Sequence, residues 1–150
     1  MLLILAAVAQ ATIAAQALDP AGLAAISDGV AFGDVTELRT LMEDEKIWTI
    51  ATVTGAKGEA PLRGGETEVW IPGGCIEDLC LTIAGTPKVT VGERVFVFLR
   101  KNEPTSWSQG LFHVKGNVAT RDTRGMSMSD GVAPKASFAL SELIKVAPAL

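Results

Sequence analysis

Val91-Gly92-Glu93-Arg94-Val95-Phe96-Val97-Phe98-Leu99-Arg100 sets five consecutive apolar residues behind a glycine turn and closes them with a cation. Val95 to Leu99 has no polar parity, which marks a strand buried on both faces. Glu103-Pro104-Thr105-Ser106 breaks the run. Gly110-Leu111-Phe112-His113-Val114-Lys115-Gly116 then returns as a second strand, and Asn117 to Thr120 follows it.

Upstream, Val30, Phe32, Asp34, Thr36 and Leu38 share one parity while Val35 and Leu41 fall on the other, a mixture that predicts a bent strand. Glu43-Asp44-Glu45 reads as a solvated turn into Ile47-Trp48-Thr49-Ile50-Ala51-Thr52-Val53-Thr54, which makes the pair a hairpin or meander. Gly55 to Gly65 reads as a loop, Glu66 to Ile71 as a strand stopped by Pro72-Gly73-Gly74, and Cys80 to Ala84 as another strand. Between Leu18 and Asp28 the apolar spacing fits either a short helix or an irregular lead-in. Residues 124–136 are polar without a sustained period and read as a flexible segment. Residues 137–147 read as a short helix with Leu140, Leu143 and Ile144 on one face, Ser141 or Ser137 as N-cap and Pro148 beyond. Five or six strands at short spacing, without βαβ alternation, predict a mainly β fold: a small antiparallel barrel over residues 18–123 with a short C-terminal helix.

At 150 residues the chain has room for one domain. Its net charge is −4, yet Leu18 to Cys80 holds 12 acids against 4 bases and Leu81 to Leu150 holds 5 acids against 9 bases. Halves of opposite sign neutralise each other across a compact fold. The bases are scattered on an acidic chain, which argues against nucleic acid as a partner.

Met1 to Ala17 carries no charged residue, opens on the apolar run Leu2 to Ala9 and ends in Ala15-Gln16-Ala17. Small residues at positions −3 and −1 are what a signal peptidase accepts, so the pattern predicts a signal peptide over residues 1–17, a cut after Ala17 and export to the periplasm or cell exterior. A basic n-region is missing. Gln10, Thr12 and Gln16 leave the run short of a bilayer span, so no stable membrane span is expected after processing. In an exported chain Cys75 and Cys80 read as a disulfide closing a very small loop. Two free thiols, or zinc with His113 and one of Glu77 or Asp78, are the alternatives.

Val69-Trp70-Ile71-Pro72-Gly73-Gly74, Ala84-Gly85-Thr86-Pro87, Val91 to Arg100 and Gln109-Gly110-Leu111-Phe112-His113-Val114 together resemble a group of uncharacterised exported bacterial proteins. That group in turn is similar to the oligomer-binding-type barrel of netrin-like modules, including the inhibitory domains of tissue inhibitors of metalloproteinases. The resemblance implies fold and export. Those inhibitors act through an N-terminal Cys, whereas the predicted mature start here is Leu18-Asp19, so inhibition does not carry over.

No catalytic or cofactor motif is present. His113 is the sole histidine and alternates with apolar residues on a predicted strand, where a histidine is usually structural. Ser127-Met128-Ser129-Asp130 lacks the glycine frame of a nucleophile elbow. Gly64-Gly65 and Gly73-Gly74 open no helix with a phosphate-binding pattern. Trp107 is the residue out of place, because Pro104-Thr105-Ser106-Trp107-Ser108-Gln109 is polar and loop-like, and exposed Trp marks partner contact. Trp107, with Phe112 and His113, is therefore the candidate binding surface, the alternative for Trp107 being a lid packed over the barrel end. The expected function is a non-enzymatic binding or structural module whose partner is an envelope protein or glycan. A hydrolase or metal-dependent enzyme using His113, and a protease-inhibitor-like module, are the alternatives.

Overall fold

In chain order the elements are β1 (Ala14–Ala15), α1 (Pro20–Ile26), β2 (Gly29–Glu43), β3 (Lys46–Gly55), β4 (Gly65–Pro72), β5 (Gly74–Ile76), β6 (Leu79–Leu81), β7 (Arg94–Arg100), β8 (Glu103–Pro104), a 3-10 turn (Trp107–Gly110), β9 (Leu111–Lys115), β10 (Val118–Thr120), β11 (Ser127–Met128), β12 (Ser137–Ala139) and α2 (Leu140–Val146). They come from a computed structural model that describes residues 14–55 and 65–147. Most of the expected signal segment and of the Gly55 to Gly65 loop lies outside the described residues.

The main sheet runs β12-β10-β9-β7-β2-β3-β4, antiparallel at every step, with β8 also on β7. β7 sits inside it, and Val95 to Leu99 are all 4% exposed or less. Alternation sends Phe96 and Phe98 to one face and Val95, Val97 and Leu99 to the other. The first face builds a core from Phe32, Phe96, Phe98, Phe112 and Phe138, sealed by Leu23 of α1 and Leu143 of α2. The second packs Val35, Val53, Val69, Ile71 and Leu111 with the three aliphatics of β7.

β2 explains its own mixed parity. Gly29 to Asp34 pairs with β7 and Asp34 to Glu43 with β3, and a bulge falls between Val35 and Glu37. One extra residue there returns Leu38 to the face of Val35, where it packs on the aliphatic core. The bulge bends β2 at that point. β12 and β4 end its path, and one backbone bond, Trp70 N–H to Asn102 O (2.8 Å), joins β4 to the β7–β8 turn. The architecture is thus mainly β with a large antiparallel sheet, and the closed barrel is not among the described pairings.

One open expectation is decided and two change. The stretch after Leu18 is a helix, with Pro20 at its first turn and Asp19 Oδ1 accepting from Gly22 N–H (2.8 Å). Ser137 to Ala139 is a strand on β10, because Phe138 belongs to the aromatic core and Ser137 Oγ meets Thr120 Oγ1 across the ladder (3.1 Å). The helix therefore starts at Leu140, and neither Ser137 nor Ser141 caps it; Ala139 occupies the cap without a side-chain bond. The strand expected over Cys80 to Ala84 stops at Leu81 and pairs only within the β5–β6 hairpin.

Candidate binding groove

Trp107 is presented by a loop whose backbone is held from several sides. Ser106 and Trp107 are both left-handed (φ 53° and 59°), a costly conformation for a bulky side chain. Three buried neighbours hold it. Thr105 donates its N–H to Phe98 O (2.8 Å) and shares a hydroxyl bond with Ser27 (2.7 Å). Gly110 lies so close to Thr105 that an added Cβ would stand 2.2 Å from its carbonyl oxygen. Gln109, fully buried, donates from Nε2 to Ser106 Oγ (3.0 Å). The half-buried indole lines a groove of about 760 Å³ together with Leu18, Ile26, Pro72, Pro87 and Pro104, while Arg100, Lys101 and Glu103 supply its charge. Burial raises the Glu103 carboxyl above its ordinary value, opposed by Lys46 and Lys101.

One end of this groove is tied to the start of the described chain. Gln109 Oε1 accepts from Leu18 N–H (2.8 Å), and its Nε2 also donates to Gln16 O (2.9 Å). Arg121, 2% exposed, donates to Leu18 O (2.7 Å), Lys135 O (2.9 Å) and Gln109 O (3.1 Å), and stacks over Phe112 and Phe138 at 5.2 and 5.3 Å. Burial lowers its pKa to about 10, with Asp19 opposing the shift.

His113 faces a different pocket, of about 520 Å³, shared with Lys88, Ser108, Asp122 and Arg124. Its Nδ1 hydrogen-bonds the Glu93 carboxylate, whose other oxygen accepts from Thr90 N–H (2.6 Å). Hydrogen bonds from Arg124 hold the Asp122 carboxyl well below the usual carboxylate range. Ser108 Oγ is buried there without a hydrogen-bond partner.

Phe112, one residue from His113, points to the opposite face of β9 and is fully buried in the aromatic core, so it offers no surface to a partner. Trp107 and His113 therefore line separate pockets. Cys75 and Cys80 face each other across the β5–β6 hairpin as a bonded pair, Cα to Cα 4.1 Å. Among the described residues no three His, Cys, Asp or Glu side chains are grouped to hold a metal, and no helix is long and apolar enough to cross a membrane. Sequence reasoning singled out Trp107 but not Gln109 or Arg121, whose partners lie far away in the chain. The chain matches no family model, no curated protein and no solved structure.

Proposed function

We propose that the chain is an exported, non-enzymatic binding module of the cell envelope, cut after Ala17, which takes its partner in the groove around Trp107. The observation that carries this reading is the left-handed Ser106-Trp107 pair, held by Thr105, Gln109 and Gly110 beside an apolar, proline-lined groove. Strained backbone that its surroundings over-determine is characteristic of ligand clamps, and a rigid indole offers contact area at little entropic cost. The disulfide-bonded Cys pair supports export. Saturable binding of the purified protein to envelope preparations is expected to be lost in Trp107→Ala and kept in Trp48→Ala. Equal binding by the two variants contradicts the assignment.

A second reading, a hydrolase built on His113, is favoured by one observation: Glu93 orients the imidazole while the unpartnered Ser108 Oγ lines the same pocket. No hydrogen bond joins Ser108 Oγ to His113. Turnover of an ester or amide by the pure protein, abolished by Ser108→Ala and by His113→Ala, would replace the binding role with this one.

A further inference from the structure

We infer that residues 14–17 occupy the partner's track, and that removing them opens it to an extended polypeptide segment of another chain, bound through its main chain. The inference rests on the cut proposed above. Ala14 and Ala15 form a parallel ladder with Ser127 and Met128, Gln16 O accepts from buried Gln109 Nε2, and Gln16 and Leu18 both line the groove of Trp107. Residues 127–128 pair with no other strand among the described residues, so an extended backbone laid along them completes a two-stranded ladder while the fixed donor of Gln109 reads one carbonyl.

Hydrolysis of the Ala17–Leu18 bond by a signal peptidase consumes one water, whose oxygen stays on the Ala17 carboxylate while Leu18 gains the protons of a free amine. Leu18 stays in place. Its new ammonium still donates to Gln109 Oε1, now with a charge, and its carbonyl still accepts from Arg121. What departs is the ladder on β11 and the acceptor of one Gln109 Nε2 proton. Gln109 is fully buried, and Ser106 Oγ satisfies only one of its two N–H groups. A buried donor left open is unfavourable, and an incoming backbone carbonyl at the position of Gln16 O restores it.

The test uses the processed protein recovered from the envelope, its intact mass, and a synthetic peptide of residues 10–17, Gln-Ala-Thr-Ile-Ala-Ala-Gln-Ala. The mass should correspond to a chain beginning at Leu18. Calorimetric titration should show saturable binding of the peptide, weakened about fivefold or more when the nitrogens of Ala14 and Ala15 are both methylated, since alternate N–H groups of a strand face its neighbour and the pair of methyl groups removes the donor that faces β11 while keeping every side chain. A chain beginning at Leu18 that binds neither peptide, or binds both equally, overturns the inference and leaves the export reading standing. A mass that still includes residues 14–17 overturns the cut after Ala17, and the open track with it.

Discussion

Arg121 takes a positive charge into the interior and meets carbonyl groups there, not a carboxylate. Its three acceptors come from Leu18, Gln109 and Lys135, so one guanidinium fastens the start of the domain, the Trp107 loop and the approach to β12. Arg121→Ala leaves all three carbonyls without that donor and should cost about 3 kcal/mol or more in urea unfolding. Arg121→Lys should recover little, because an ammonium lacks the planar fork that reaches three directions. A loss below about 1 kcal/mol would contradict this role. Asp122 provides a residue-scale pH test. Its folded pKa lies below the ordinary value, so the pair with Arg124 contributes stability above the ordinary carboxylate pKa and loses it as pH falls through the folded one. Carboxyl NMR titration should place Asp122 below an ordinary aspartate, and Arg124→Ala should bring it back up; an unmoved midpoint in that variant excludes Arg124 as the cause.

Among the elements, the β5–β6 hairpin stands apart from the main sheet and is clipped by its own disulfide. The bond closes a short loop, so Cys75→Ser with Cys80→Ser should lower stability by no more than about 2 kcal/mol, and thiol titration of the protein purified without reductant should find no free thiol. Two titratable thiols would contradict the pairing. β7 was legible because a two-sided burial leaves no polar parity, and the bend in β2 because a bulge mixes two parities. β12 was not legible: Phe138 lies next to the helical stripe Leu140, Leu143 and Ile144, and only its tertiary partners Phe112 and Ala119 make Ser137 to Ala139 a strand. Gln109 was illegible for a related reason. Its bonds to Leu18 and Gln16 span 91 and 93 residues, and a polar loop residue carries no period that announces such contacts.

For the whole molecule, the sheet divides an aromatic core under two short helices from an aliphatic core around the β2 bulge. α1 and α2 are only seven residues each, too short to persist without that packing. Leu143→Ala, which empties a fully buried site, should cost about 2 to 5 kcal/mol and release α2 as well, read as lost amide protection over residues 140–146. Retained protection there would mean that the helix stands without its core contact. The proposed function is placed in the groove where the start of the domain, the β7–β8 region and the Trp107 loop meet. The most direct test is a titration of the chain beginning at Leu18, its indole nitrogens labelled, with the peptide of residues 10–17. Trp107 should shift to saturation while Trp48 and Trp70, which meet edge to face at 5.7 Å in another groove, stay in place. Three unmoved indoles, or movement of Trp48 and Trp70 alone, would contradict binding in the Trp107 groove.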